Sequence, residues 1–210
     1  MDLFGGPYSL SALLLCFGLC YLIGSIPFGV ILTRLYGAGD LRSIGSGNIG
    51  ATNVLRTGRK GLALATLLFD ALKGGIPAWI AAQYAPELAV MAGLGAVVGH
   101  CFPVWLKFNG GKGVATAAGV VLALTPIVAL VVLALFALSI WGTRYVSLGS
   151  VLAAIIAVPT AYLLGHPHAV ILYGLLAIII VAKHQANIRR LLAGNESKVS
   201  LSKSSTAEKS

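Results

Sequence analysis

Residues 114–141 read VATAAGVVLALTPIVALVVLALFALSIW, and the number of helices in this run decides the fold. The run is apolar apart from Thr116, Thr125 and Ser139. A single helix over its whole length would be about 42 Å long, whereas the hydrocarbon core of a membrane is about 30 Å thick. Pro126 lies near the middle of the run and disfavours a continuous helix. We therefore expect two helices here, either as two crossings or as a re-entrant hairpin.

The composition of the whole chain is that of an integral membrane protein. Of its 210 residues, 58% are hydrophobic and 10% are charged, and the mean hydropathy is +0.91; soluble domains carry about 25% charged residues. Further apolar runs occupy residues 10–35, 62–84, 88–106, 151–164 and 169–182. The sequence predicts an all-α integral membrane protein with a single transmembrane domain, residues 1–194. Residues 195–210 are rich in Ser and Lys, and we expect them to form a disordered, polar cytoplasmic tail.

The distribution of basic residues predicts the topology, because Lys and Arg accumulate in cytoplasmic segments. With seven transmembrane helices and the N-terminus outside, all but one of the 15 Lys and Arg residues fall on the cytoplasmic side; the exception, Lys73, lies within a helix. A single helix over residues 114–141 would instead move the basic C-terminus outside. A five-crossing variant, with that run as a re-entrant hairpin, keeps the same segments inside. We expect a seven-transmembrane-helix bundle with a cytoplasmic C-terminus.

Several classes of function are excluded by what the sequence lacks. The net charge of +9 is explained by topology, since the sequence shows no basic surface with interleaved aromatic residues and no nucleic-acid-binding module. Cys16, Cys20 and Cys101 do not have the spacing of metal ligands. There is no G-x-S-x-G motif, no acidic cluster and no H-x-x-x-x-D signature, so we expect no metal, no cofactor and no strong nucleophile.

The segment GSGNIGATNVLR at residues 45–56 begins with the G-x-G-x-x-G pattern of dinucleotide-binding folds, and Asp70 follows at the spacing of the ribose-binding acid. That fingerprint requires a buried strand before the first glycine. Here a polar stretch precedes Gly45, and the apolar run that follows has membrane length. We interpret the segment as an anion-binding loop whose glycines let backbone N–H groups approach a phosphate. Its side-chain donors are Ser46, Asn48, Thr52, Asn53 and Arg56.

The segment NGGKGVAT at residues 109–116 is superficially similar to a P-loop, but Leu106 and Gly113 stand where a P-loop has Gly and Ser or Thr. What remains is a glycine-rich turn with a lysine at the start of a helix, where free N–H groups and the helix dipole favour an anion. The residues of this second anion site are Gly110, Gly111, Lys112 and Gly113.

Two further pairs of polar residues share helical faces. Asp70 and Lys73 are three residues apart, and we expect them to pair within the membrane, with substrate contact as the alternative. His184 and Asn187 share a face at the cytoplasmic end of the last helix, where a neutral histidine could hydrogen-bond a hydroxyl or a phosphate. His100 is expected to pack rather than to react.

Four segments in this order carry a resemblance to a known family: GSGNIGATNVLR (45–56), GGKGVAT (110–116), RYVSLGS (144–150) and HQANIRRLLAG (184–194). Supporting matches are GSIPFG (24–29), LFDALKG (68–74) and GHCFPV (99–104). Together they resemble the bacterial acyl-phosphate-dependent glycerol-3-phosphate acyltransferase family, over about residues 20–194.

The resemblance implies a multi-pass enzyme of the bacterial inner membrane with its active site facing the cytoplasm. Such an enzyme moves a fatty acyl group from acyl phosphate to the sn-1 hydroxyl of glycerol 3-phosphate, giving lysophosphatidic acid and inorganic phosphate in the first step of phospholipid synthesis. Acyl phosphate carries an activated carbonyl and a good leaving group, so no covalent acyl-enzyme is expected. Membrane lipid is an expected partner. Soluble or peripheral enzymes of the same pathway are further candidates, whereas nucleic acid is not expected.

The resemblance also implies roles for individual residues. Glycerol 3-phosphate would be held by Ser46, Arg56, Lys112, His184 and Asn187, of which Ser46, His184 and Asn187 are the catalytic candidates. Acyl phosphate would contact Thr52, Gly110, Gly111 and Ser147, and Asn48, Asn53 and Gly113 are assigned to the same substrate. Whether Ser147 or Ser150 is the phosphate ligand stays open. The leaving phosphate would accept the proton of the attacking hydroxyl.

A transporter of an organic phosphate is the alternative function, because basic residues in a helical bundle could equally mark an anion path. The small size of the chain and the scarcity of ionisable residues at membrane depth oppose it.

Overall fold

The computed structural model describes residues 8–199, and this part of the chain is all-helical. Two short 3₁₀ turns, Leu41–Ser43 and Val104–Leu106, accompany the α-helices. The α-helices are α1 (Leu10–Gly24), α2 (Phe28–Leu35), α3 (Ala51–Leu55), α4 (Lys60–Ala82), α5 (Pro86–Cys101), α6 (Val114–Leu124), α7 (Pro126–Thr143), α8 (Val146–Leu163), α9 (Pro167–Lys183) and α10 (Gln185–Leu192).

The long run of residues 114–141 forms two helices, as its proline predicts. Thr125 leaves the helical conformation, with φ −143° and ψ 77°, and α7 starts at Pro126. The helix before the break has 11 residues and is therefore about 16 Å long, too short to cross a hydrocarbon core by itself. Within the described residues, five helical segments are long and apolar enough to cross a membrane, or six if α9 and α10 form one bent span. The count of seven crossings stays a prediction.

The first candidate span, Leu10–Leu35, is broken between α1 and α2 at Pro27. A break inside a membrane leaves backbone carbonyls without helical partners, which is costly away from water. Lys73 donates from Nζ to the Ile26 carbonyl at 2.8 Å and lies 2.8 Å from an oxygen of Asp70. The predicted i,i+3 ion pair is thus present and buried, and it also stabilises the break in the first span.

Close helix packing holds together the first part of the bundle, in which α1 packs on α5, and α4 packs on both α5 and α6. A Cβ added to Gly24, Gly99 or Gly119 would lie 2.0–2.1 Å from a backbone oxygen of the neighbouring helix. Only glycine fits these positions, and small residues at such crossings let the backbones approach and pack in a membrane.

The second part of the bundle consists of α7, α8 and α9, and α9 joins it to the first part through α5. The shared core is built from aliphatic side chains and one tyrosine that are almost inaccessible: Val97, Val120, Leu172, Tyr173 and Leu176. This core lies between the helices whose ends carry the glycine-rich and basic segments.

Two elements differ from the sequence-based expectation near these ends. The segment 142–150 was expected to be a polar connection, but α8 already begins at Val146, so Ser147 and Ser150 lie on its first turns. The chain bends by 62° between α9 and α10. His184 therefore lies at a bend and Asn187 lies on the next helix, whereas both were expected on the last membrane helix.

Candidate functional site

A cavity of about 690 Å³ opens where the loop 45–56, the start of α6, the start of α8 and α10 meet. We call this the polar end of the bundle. Most residues predicted to bind substrate line the cavity there: Ser46, Asn48, Thr52, Asn53, Arg56, Lys112, Gly113, Ser147, His184 and Asn187. The fold therefore brings together side chains that are far apart in sequence. For example, Arg56 and Ser197 are hydrogen-bonded although they are 141 residues apart.

Asn53 shapes the first anion loop from within. Its side chain is buried, and its amide nitrogen donates to the carbonyls of Leu41 and Ile44, both at 2.9 Å. Its amide oxygen accepts from the backbone N–H of Ser46 at 3.2 Å. With both amide hydrogens bonded to backbone, Asn53 has little left to offer a ligand, and the geometry favours a loop-shaping role over the predicted contact with acyl phosphate.

The other polar residues of this loop remain available to a ligand. Asn48 accepts from the Gly50 N–H at 2.9 Å through Oδ1, a turn that leaves its amide hydrogens free to donate. Thr52 is exposed within the cavity mouth. Arg56 donates to the Ser197 hydroxyl at 3.0 Å and otherwise faces the opening. Gly45 takes a positive φ of 56° and packs against Arg56, so a side chain there would displace the guanidinium.

The second glycine segment is fixed against the end of α5. Gly111 donates its N–H to the His100 carbonyl at 3.0 Å. A Cβ on Gly110 would lie 2.2 Å from that carbonyl oxygen, and one on Gly111 would lie 2.0 Å from Nε2 of His100. These two glycines therefore lie directly on His100, whereas Gly113, with φ 82°, turns the chain into α6 and lines the cavity. His100 is buried, but both it and Asp70 also line the cavity, and Nδ1 of His100 is 3.6 Å from a carboxylate oxygen of Asp70.

Lys112 and Asn187 join the second glycine segment to α10. Nζ of Lys112 donates to Oδ1 of Asn187 at 2.6 Å. Partial burial, together with the positive charges of Arg190 and Arg56, lowers the pKa of Lys112 below its ordinary value of 10.5. A partly desolvated ammonium group is a strong ligand for a phosphate dianion because the attraction is less screened than in water.

His184 is held as a neutral histidine of one tautomer. Its Nδ1 lies 2.8 Å from the Ile180 carbonyl, which can only accept, so Nδ1 carries the proton and Nε2 is an acceptor. Burial lowers the pKa of His184 to about 4, with the charge of Lys112 acting in the same direction. At neutral pH this side chain can accept a hydrogen bond from a substrate hydroxyl.

Ser147 and Ser150 both line the cavity but differ in their partners. Ser147 donates to a carboxylate oxygen of Glu196 at 2.8 Å and so points to the polar end. Ser150 donates to the Val146 carbonyl of its own helix, also at 2.8 Å. Of the two serines, Ser147 is therefore the one whose hydroxyl faces the polar end.

Comparison with known proteins matches the glycerol-3-phosphate acyltransferase family model to residues 14–194. A glycerol-3-phosphate acyltransferase of Sinorhizobium fredii is 52% identical over 199 residues, covering 95% of this chain and 98% of the relative. One of Mesorhizobium japonicum is 56% identical over 187 residues, covering 89% and 95%. The chain belongs to the glycerol-3-phosphate acyltransferase family.

A crystal structure of the relative PlsY, described as an integral membrane glycerol 3-phosphate acyltransferase in its glycerol 3-phosphate form, superposes with a TM-score of 0.86. It shares 40% sequence identity and covers 90% of this chain and 96% of PlsY. A second PlsY structure, the lysophosphatidic acid form, matches with a TM-score of 0.83 and 38% identity. The chain is therefore an acyltransferase of the membrane, which favours this function over the transporter that the sequence also allowed.

Glu196 is the part of the acyltransferase site that the sequence did not indicate. Its carboxylate accepts from Ser147 at 2.8 Å, from Asn187 at 2.6 Å and from Arg190 at 2.7 Å, and its side chain is only 5% exposed. Burial opposes ionisation, but these hydrogen bonds outweigh it and hold the pKa of Glu196 below its ordinary value. Residues 195–199, assigned to the polar tail, thus lie against the site, while 200–210 fall outside the described residues.

Replacing Glu196 with alanine is expected to destabilise the acyltransferase by about 2 kcal/mol, because two partly buried donors, on Ser147 and Asn187, and the exposed Arg190 lose a charged acceptor. For a protein of this size, that corresponds to a melting temperature lower by about 4 to 8 °C. A thiol-reactive dye can report unfolding, since Cys16, Cys20 and Cys101 are free and at least partly buried. Asp40→Asn is the matched control, because the Asp40–Arg42 pair is exposed and should matter little. An equal loss in both variants would contradict the role of Glu196.

Glu196→Gln adds a test by pH. A carboxyl whose pKa is lowered on folding stabilises the protein above its unfolded pKa, ordinarily 4.5, and loses this contribution as the pH falls through the lower, folded value. Wild type should therefore be more stable than Glu196→Gln near neutral pH. The difference should shrink below about pH 4.5.

Proposed function

We propose that this chain transfers a fatty acyl group from acyl phosphate to the sn-1 hydroxyl of glycerol 3-phosphate, releasing lysophosphatidic acid and inorganic phosphate. The observation that carries the proposal is a single cavity with a cationic, glycine-rich mouth and an apolar interior. One end suits phosphate groups, and the other suits an acyl chain. The two forms in which PlsY has been crystallised, with glycerol 3-phosphate and with lysophosphatidic acid, name an acceptor and a product of this kind.

The phosphate of glycerol 3-phosphate is assigned to the cations at the mouth. Lys112 and Arg56 supply the charge, and Ser46 adds a hydroxyl donor in the first anion loop. Asn187, which Lys112 already contacts, and His184 lie beside them. Acyl phosphate is assigned to the remaining donors: Asn48, Thr52, Ser147 and Gly113. Gly110 and Gly111, predicted for the same substrate, are outside the cavity lining, and the N–H of Gly111 already donates to His100, so we assign them to positioning Lys112.

The reaction needs no covalent intermediate on the protein. The acceptor hydroxyl oxygen attacks the carbonyl carbon of acyl phosphate, a new C–O ester bond forms, and the bond from that carbon to the phosphate oxygen breaks. The phosphate leaves with the bonding electrons and takes the hydroxyl proton. Neutral His184 accepts a hydrogen bond through Nε2 from the other hydroxyl of glycerol 3-phosphate, and this contact holds the attacking oxygen toward the carbonyl while its own proton passes to the phosphate. The donors assigned to acyl phosphate stabilise the charge that develops on the leaving phosphate.

The orientation in the membrane follows from charge. The polar end holds Arg56, Lys112, Arg144 and Arg190, and an excess of Lys and Arg is typical of the cytoplasmic side. We place the active site there, in a bacterial inner-membrane protein with seven crossings and an outside N-terminus. In this topology α7 crosses fully, and α6 makes the crossing before it together with the non-helical segments at its two ends. Residues 195–199 complete the single transmembrane domain because they contact its site. Enzymes of the same pathway as partners stay a prediction.

The test is an assay of the purified protein with acyl phosphate and labelled glycerol 3-phosphate. Labelled lysophosphatidic acid and an equal amount of inorganic phosphate should form without any sealed compartment. The same assay with an acyl thioester in place of acyl phosphate should give no product. Product from the thioester alone would overturn the proposed donor.

The dependence of KM on pH should report Lys112. Because burial and neighbouring positive charges lower the pKa of Lys112, this side chain loses its proton at lower pH than an ordinary lysine. The KM for glycerol 3-phosphate should therefore rise at alkaline pH, below the ordinary lysine value of 10.5. Lys112→Arg should remove this rise, since a guanidinium stays charged. A rise that persists in Lys112→Arg would assign it to another group.

A further inference from the structure

The depth of the substrate cavity can be measured along α8 and along α9, because each helix has one residue near the polar end of the cavity and one at its far end. Ser147 at the polar end and Ala157 at the far end both line the cavity, and ten helical residues span about 15 Å. On α9, Tyr173 lines the cavity and lies eleven residues before His184, or about 16 Å away. Two independent helices thus place the far end at the same depth.

The side walls of the cavity between these ends combine alanines with larger aliphatic residues such as Val132 and Leu176. Lining residues in this stretch include Ala118, Ala153, Ala154 and Ala177, which leave space between α6, α8 and α9. Aromatic bulk enters from α7 at Phe136 and at the far end at Tyr173. A narrow apolar channel of this kind suits an extended hydrocarbon chain.

The far end is closed by a tyrosine held in one position. Tyr173 is 1% exposed, and its hydroxyl lies 2.5 Å from Oγ1 of Thr125 at the break between α6 and α7. Thr125 in turn donates to the Val121 carbonyl at 3.2 Å, so Tyr173 is the donor in the pair. Beyond this point Val128, Ala161 and Leu172 are all 0% exposed and fill the space between the helices.

We propose that Tyr173, fixed by Thr125, forms the end wall of the acyl-chain channel and limits the length of acyl chain that the enzyme transfers efficiently. The inference rests on the proposed function, which places the acyl group in this cavity. For an acyl phosphate taken from water, each methylene that enters the channel favours binding by about fourfold. A methylene that would pass the wall gains nothing, because it must bend back or displace a packed aromatic ring.

A chain could avoid the wall only by leaving the channel sideways. Leu133 on α7 lines the cavity and is 43% exposed, so α7 borders the lipid at that point. A chain that left past Leu133 would never reach Tyr173, and residues at the far end would then have no effect on chain length. The two paths therefore predict different outcomes for substitutions at the far end.

The experiment measures kcat/KM of each variant for a series of saturated acyl phosphates from short to long. Each value is divided by the wild-type value at the same chain length, so that partitioning of the substrate into detergent cancels. The long-to-short ratio is this relative kcat/KM for a long chain divided by that for a short chain. Tyr173→Ala should raise the long-to-short ratio at least about tenfold, which is less than two additional methylenes would supply at full burial. Ala157→Leu, which shortens the channel from α8, should lower the same ratio by a similar factor. Tyr173→Phe keeps the ring and should leave the ratio within about twofold.

Ile171→Ala is the matched control, because Ile171 is on the same helix as Tyr173 and is 53% exposed. It should leave the chain-length profile unchanged. If Tyr173→Ala fails to fold by the thiol-dye assay, Ala157→Leu still tests the wall in the opposite direction. If kcat/KM of Tyr173→Ala and of Ala157→Leu depends on chain length in the same way as in wild type, Tyr173 is not the end wall. If wild type transfers no acyl group from any acyl phosphate, the proposed donor is wrong instead.

Discussion

Lys112→Met is expected to lower kcat/KM for glycerol 3-phosphate by about 10²- to 10³-fold, the loss typical of removing one preorganised charge-stabilising donor. Methionine keeps an unbranched, flexible side chain but removes the ammonium group that donates to Asn187 at the cavity mouth. That ammonium is partly buried, so water replaces it poorly. The measurement is the initial rate of formation of labelled lysophosphatidic acid at varied glycerol 3-phosphate.

The matched control for this substitution is Lys107→Met. Lys107 belongs to the same polar connection between α5 and α6, but it is exposed and lies outside the cavity lining. Its substitution should change kcat/KM by less than about threefold, as for a surface charge. Lys112→Met with more than a tenth of wild-type activity, or an equal loss in both variants, would contradict the assignment of Lys112 to the phosphate.

Gly111→Ala is expected to lower kcat/KM by about 100-fold while the protein stays folded. The new Cβ would lie 2.0 Å from Nε2 of His100, so either the buried ring or the turn must move. His100 is 3% exposed, whereas Gly110 and Lys112 of the turn are partly exposed, so we expect the turn to move and to carry Lys112 with it. A displacement of about 1 Å at a catalytic position is enough for a loss of this size.

Gly142→Ala is the control, because a Cβ there meets nothing within 4 Å. It should leave both activity and melting temperature unchanged. Gly111→Ala should melt within a few degrees of wild type, which separates a displaced turn from an unfolded protein. Full activity in Gly111→Ala would show that the turn does not position Lys112.

Several features of the fold could be predicted because their causes are local. Pro126 marks the break in the longest apolar run, and the i,i+3 spacing of Asp70 and Lys73 predicts their ion pair. The bend at His184 has no such cause in the sequence, since neither proline nor glycine is present there. It arises from tertiary packing of α10 against α8 and α9, which one sequence does not display.

The site was predictable as a set of residue types but not as a geometry. Glycines and donors at 45–56 indicate an anion loop, yet the backbone contacts of Asn53 place this amide inside the loop instead of at its surface. Glu196 was assigned to a disordered tail because its neighbours are polar and basic. Its one available signal was the presence of an acidic residue close after Arg189 and Arg190 in a chain with only 6 acidic residues.

The site draws on residues from both ends of the chain, from Ser46 to Ser197, and this has a consequence for how the enzyme is made. A ribosome adding about 5 to 20 residues per second needs about 8 to 30 s to synthesise the segment between them. During that time the first anion loop is already outside the ribosome while His184, Asn187 and Glu196 do not yet exist. On the proposed assignment of these residues, each molecule starts acylation only after its translation is nearly finished, and a chain that terminates before residue 184 lacks part of the group that binds and orients the substrate.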